Sequence, residues 1–158
     1  MLLRLTKQAE YALRAMVWLA RQDESTSSRV SAEARPARRH KAAAIARGTG
    51  IPPAFAARVL AQLHHHNLLD ARTGQHGGYV LARPAGEISL LEVIEAAEGP
   101  LVTKECVLRD MRCSPNNPCI LHGAWSAAQL ALRSVLAQTP VAGPGAPAPA
   151  IAPADGSQ

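Results

Sequence analysis

Three cysteines and one histidine stand close together in the stretch ECVLRDMRCSPNNPCILHGAW, at Cys106, Cys113, Cys119 and His122. Their spacing is Cys-x6-Cys-x5-Cys-x2-His, and the chain has no other cysteine. Thiolates are soft ligands suited to iron-sulfur clusters and to zinc, and imidazole accompanies them in both chemistries. Structural zinc sites usually pair their cysteines about two to four residues apart. The gaps here are six and five, so the spacing favours an iron-sulfur cluster, with zinc as the alternative. The hydrophilic SPNNP loop between the thiols argues against three inert buried cysteines.

A second set of apt residues is basic. Residues 1 to 85 carry 13 Lys and Arg against 5 Asp and Glu, whereas residues 86 to 158 carry 4 against 7. So basic a half suits a polyanion, and with no long lipid-facing segment beside it, double-stranded DNA is the expected partner rather than a membrane. In PPAFAARV only Arg58 can make a bidentate contact to guanine, while Ala54, Ala56 and Ala57 offer methyl contacts at most. Arg72, Gln75, His76, Gly77 and Gly78 follow where a wing would meet phosphate or minor groove. The HHH run at 64 to 66 reads as exposed histidines near a helix C-terminus, not as a metal site. The acids of EVIEAAE, 92 to 98, read as a solvated helix face rather than a paired acid and base, and no enzyme is expected.

The elements that must position these groups are legible in outline. Ala9, Ala12, Leu13, Met16, Val17, Leu19 and Ala20 recur at helical spacing from Thr6 to about Gln22. AAAIARGTG reads as a short helix ending at Gly48 or Gly50, and IPPAFAARVLAQLHHHNLL as a helix with proline in its first turn, where a missing N–H costs nothing. Helix, glycine turn, helix is the pattern of a helix-turn-helix. Leu68–Ala71 and Tyr79–Ala82 flank a tip containing Gly74, Gly77 and Gly78, which predicts a β-hairpin wing. Ser89 caps a helix that stops at Gly99-Pro100. From Ile120 to Gln138 a long stripe of Leu, Trp and Ala is interrupted by charge only at Arg133, the mark of a helix that packs on a partner as well as on its own domain.

The expected fold is therefore mainly α with a small β-hairpin wing: a winged helix-turn-helix plus a long dimerisation helix. Residues 1–85 form the DNA-binding region, with a mobile basic loop at about 23–41. Residues 86–138 hold the linker helix, the cysteine loop and the dimerisation helix, and the Pro/Ala/Gly-rich residues 139–158 are an expected disordered tail. The N-terminus is broken by Arg4, Lys7, Glu10 and Arg14, so it suits neither a signal peptide nor a membrane span, and a cytoplasmic location follows. In that reducing compartment an odd number of clustered cysteines speaks for metal or redox chemistry rather than disulfides.

YALRAMVWLA, IARGTGIP, VLAQL, GQHGGYVLARPAGEISLLEVIEAAEGP and the cysteine arrangement, in this order over roughly residues 3 to 138, resemble the Rrf2 family of bacterial transcription regulators. The resemblance implies a homodimeric winged-helix repressor or activator whose DNA affinity is set by an iron-sulfur cluster sensing nitric oxide, redox state or iron-sulfur status. IscR-like members make His122 the candidate fourth ligand beside Cys106, Cys113 and Cys119, compatible with a preferred 2Fe-2S centre. NsrR-like members place a carboxylate where Glu10 stands, reaching the cluster of the other subunit and suiting a 4Fe-4S centre. A zinc-stabilised DNA-binding or interaction module without a sensing role is the alternative.

Overall fold

A computed structural model describes residues 5–27, 38–101, 108, 116 and 118–142. Thr6 starts the first helix, because its hydroxyl accepts the backbone N–H of Ala9 at 3.2 Å and so satisfies one of the donors a helix start leaves open. Helix α1 (Lys7–Ser27) buries Ala9, Ala12, Met16, Leu19 and Ala20 along one face, at steps of three and four residues. It runs more than a turn beyond the expected end near Gln22. Asp23 to Ser27 contain no glycine or proline, so nothing stops the backbone ladder once the apolar face is anchored. The expected mobile loop of about 23–41 therefore begins inside α1, and its residues 28–37 lie outside the described residues.

Helices α2 (Ala42–Thr49) and α3 (Pro53–His65) are joined by a tight turn. Gly50 adopts φ +68°, which lets the N–H of Ile51 reach the carbonyl of Ala46 at 3.1 Å and closes α2 in a left-handed cap. Helix α3 ends in the same way at Asn67, φ +58°. There the N–H groups of Leu68 and Asn67 donate to Leu63 and His64, each at 3.0 Å, and the buried Leu63 and Leu68 close the motif. The chain is thus turned directly into strand β1 (Leu69–Arg72), which pairs antiparallel with β2 (Gly78–Leu81), Leu69 opposite Leu81 and Arg72 opposite Gly78. Each strand is shifted by one residue from the sequence expectation, and the wing is present.

His40 adds one rung to the free edge of β2, its N–H and carbonyl bonding those of Tyr79 at 2.9 and 2.8 Å. The end of the expected mobile loop is therefore part of the sheet. A short 3-10 turn (Ala85–Glu87) leads to α4 (Leu90–Glu98), opened by a reciprocal capping box: Ser89 Oγ accepts the Glu92 N–H at 3.2 Å and the Glu92 carboxylate accepts the Ser89 N–H at 2.8 Å. Met16, Leu19, Ile45, Leu60, Ile88 and Val93, drawn from α1 to α4, fill one core.

Helix α5 (His122–Gln138) lies outside that core and none of its residues is buried. The chain after it returns to the domain: Thr139 accepts the N–H of Leu90 and Val141 donates to Ile88, both at 2.8 Å, and Val141 is buried. Residues 139–142 are thus docked where the sequence suggested a disordered tail. Composition hid one apolar anchor within a Pro/Ala/Gly stretch. Residues 143–158 lie outside the described residues. No described helix is long and apolar enough to cross a membrane.

The acidic face of α4 also departs from expectation. Glu92 pairs with Arg83 at 2.6 Å, Glu95 pairs with Arg133 of α5, and Glu98 accepts the N–H of Thr6 at 2.7 Å. These carboxylates tie α4 to its neighbours instead of simply facing water.

Candidate nucleic-acid interface and cysteine segment

The turn at Gly50 sets α3 against α1 and α2 so that Ala56, Val59, Leu60 and Leu63 are buried and Ala54, Phe55, Ala57 and Arg58 are exposed. Arg58 is thus free to point outward from the N-terminal half of the second helix of the motif, the place from which such helices read base edges. Phe55 sits beside it, 49% exposed, and its ring meets Tyr11 of α1 edge-on with centroids 5.7 Å apart. Sequence reasoning passed over Phe55. Its signal was a large apolar residue one position before the buried Ala56 face.

Arg72, Gln75 and His76 are exposed on the wing. Gly77 and Gly78 are buried, and their role is conformational. A Cβ on Gly77 would run into the backbone of Arg72 and Thr73, and one on Gly78, at φ +139°, would lie 2.6 Å from the His40 carbonyl oxygen. Of the residues expected at DNA, these two shape the hairpin from inside while Arg72, Gln75 and His76 form its surface.

The wing is fastened by cations. Arg39 bonds the Asp70 carboxylate and donates to the carbonyls of Asp70 and Gly78 at 3.2 and 3.3 Å, so one guanidinium spans both strands. The hydrogen bond from Arg39 holds the Asp70 carboxyl below its ordinary range. Lys41 donates to the Gly74 carbonyl at the tip, at 2.6 Å. Asp70 is the sole acid between Arg38 and Gly86, and Arg39 engages it, so this surface has no uncompensated carboxylate to repel phosphate.

The three histidines at the end of α3 are exposed as expected; His64 Nδ1 bonds the Leu69 carbonyl at 2.8 Å and His65 and His66 meet edge to face. Gln62, on the same helix, donates to Ala96 at 2.8 Å and Ala97 at 3.3 Å, so α3 grips the end of α4 just before the cysteine segment.

In that segment Cys106 and Cys113 lie outside the described residues. Cys119 is half-buried immediately before α5, and His122 opens the helix, its N–H donating to the Cys119 carbonyl at 3.0 Å. A thiol and an imidazole thus stand three residues apart in the chain at the start of a 17-residue helix. That donor pair fits an iron-sulfur group. Among the described residues no three His, Cys, Asp or Glu side chains gather as a metal site.

Glu10 is engaged elsewhere. Its carboxylate bonds Lys7 at 2.9 Å and Arg14 at 2.6 Å. The Lys7 hydrogen bond, against some desolvation, holds it below its ordinary value.

Comparison with known proteins follows the same lines. The Rrf2 family model, described as an iron-dependent transcriptional regulator, matches residues 5–143. The chain is 34% identical over 141 residues to a candidate HTH-type transcriptional regulator of Mycobacterium tuberculosis, covering 89% of this chain and 80% of that one. It is 28% identical over 123 residues to the HTH-type regulator IscR of Citrobacter koseri, covering 78% and 68%. Among solved structures it resembles CymR, the global cysteine regulator of B. subtilis, with a TM-score of 0.67 and 18% identity over 89% of this chain and 94% of that one. The last likeness concerns the winged-helix fold.

Proposed function

The chain belongs to the Rrf2 family of transcriptional regulators, and from that premise we propose that it is a homodimeric DNA-binding regulator whose affinity is controlled by an iron-sulfur cluster on Cys106, Cys113, Cys119 and His122. The observation that carries the reading is the placement of Cys119 and His122 at the start of α5, their backbones joined by one hydrogen bond, with the other two cysteines shortly before them in the sequence. Such a cluster, when bound, supplies a centre that reacts with nitric oxide or oxygen and responds to iron supply.

The chain's own residues supply the coupling. All three cysteines fall in the stretch of sequence between α4 and α5, so tying their thiols together would restrain how α5 leaves the winged-helix unit. Helix α5 exposes Leu132 and Val135, one turn apart on one face and 36% and 63% accessible, apolar surface suited to the same helix of a second copy. Two winged-helix units held at a set spacing address two DNA half-sites, with Arg58 toward a guanine and Arg72, Gln75 and His76 toward the backbone.

Anaerobic purification with absorption spectra and iron and sulfide analysis tests the cluster. Cys106→Ala, Cys113→Ala and Cys119→Ala are each expected to lose visible absorbance while retaining helical circular dichroism. A colourless protein carrying zinc would replace this reading with that of a zinc-stabilised module. Binding to duplexes over a salt series tests the interface: affinity falls steeply with salt, Arg58→Ala costs about 1–3 kcal/mol of base discrimination, and Arg72→Ala weakens all sequences alike.

A further inference from the structure

Helix α3 bears no acidic residue, and its first turns expose one large apolar side chain, the ring of Phe55. Tyr11 leaves the Phe55 ring half-exposed and touches it only edge-on. That contact does a second thing. It fixes the ring against α1, so Phe55 presents a set surface instead of a mobile one.

Phe55 and Arg58 are three residues apart on the helix, so their side chains leave it on the same side, one turn from each other. A groove-bound helix reads base edges with its N-terminal residues, and the apolar feature a major groove offers is the C5-methyl group of thymine. Resting on the DNA-binding reading above, we infer that Phe55 is a specificity-determining residue that packs on a thymine methyl next to the guanine taken by Arg58. The two side chains then read different chemistry: Arg58 reads acceptors and Phe55 reads a methyl. A phosphate contact would demand a donor that the phenyl ring lacks.

The test uses the full-length protein purified anaerobically and duplexes enriched from a random pool. In an enriched site each thymine is replaced singly by deoxyuridine, which deletes the methyl group and leaves every hydrogen bond. At one position in each half-site the wild-type protein is expected to lose affinity on the order of fourfold, the worth of one buried methyl. Phe55→Ala should bind the thymine and uracil duplexes equally while keeping its preference for guanine at the Arg58 position, and Phe55→Leu should keep the methyl preference in part. Uracil tolerated at every position, or a uracil penalty unchanged in Phe55→Ala, overturns the inference and leaves DNA binding intact. If no duplex is enriched, the DNA-binding reading and this inference fall together.

Discussion

Arg133 of α5 donates to the carboxylate of Glu95 on α4, and that same carboxylate accepts the backbone N–H of Leu101 at 3.2 Å, where the chain leaves α4 for the cysteine loop. One side chain therefore joins the winged-helix unit, the long helix and the start of the segment between them. The pair is partly exposed, so its direct worth is small. Arg133→Ala is expected to lower stability by no more than about 1 kcal/mol, read in thermal or denaturant unfolding, and a double-mutant cycle with Glu95→Gln should give a coupling of the same order. If α5 is held to α4 by other contacts, the cycle returns zero.

Gly78 is a place where a side chain cannot fit. At φ +139° and 2.6 Å from the His40 carbonyl oxygen, an added Cβ must push His40 off the edge of β2. Gly78→Ala should cost about 1–3 kcal/mol and open the His40–Tyr79 rung first. Amide exchange at Tyr79 and His40 measures this directly. Protection unchanged from wild type would mean the hairpin relaxes without losing that rung.

Acid sensitivity follows from Glu92. Burial works to raise its pKa, but the Ser89 backbone and side chain and the Arg83 guanidinium together bring it below the ordinary glutamate value. A carboxylate whose folded pKa is depressed contributes stability above its unfolded pKa and loses it as pH falls through the folded one. The capping box should therefore be worth its full contribution at neutral pH and weaken as pH drops below about 4.3, the usual glutamate value. Ser89→Ala, expected to cost about 1 kcal/mol at pH 7, should show a smaller difference from wild type at pH 3. A Ser89→Ala penalty that does not shrink with acid would remove Glu92 ionisation from the account.

What the sequence made legible was local. Gly50, Ser89, Gly74 and Gly78 mark turns and caps whose partners are a few residues away, and the structure has each element near its expected place. The pairing of Glu10 with Lys7 and Arg14 could also have been read, since the spacings are three and four. The missed contacts join distant segments: Arg39 with Asp70, Glu98 with Thr6, Val141 with Ile88. No periodicity announces these. A polar loop or a Pro/Ala/Gly tail looks unstructured until the fold brings it an edge strand or an apolar seat. The wing's exposed positions were predictable from turn chemistry, whereas the burial of Gly77 and Gly78 depends on His40 and on the hairpin's own closure.

The fourth cluster ligand divides His122 from Glu10, and the geometry weighs on one side. His122 stands three residues after Cys119 in the same stretch of chain, its backbone N–H bonded to the Cys119 carbonyl. Glu10 would have to give up Lys7 and Arg14, whose hydrogen bonds and charges hold its carboxyl below the ordinary value. Breaking them would remove one carboxylate partner from the Arg14 guanidinium, which is 6% exposed. The proposed site is thus three thiolates with His122, the set that suits a 2Fe-2S centre. His122→Ala should alter the absorption and Mössbauer spectra of the anaerobic protein and make its cluster more labile. Glu10→Gln should leave the spectra as in wild type and lower stability modestly, because Arg14 loses its charged partner. Unchanged spectra in His122→Ala together with changed spectra in Glu10→Gln would assign the ligand to Glu10 and require a carboxylate delivered from a second copy of the chain.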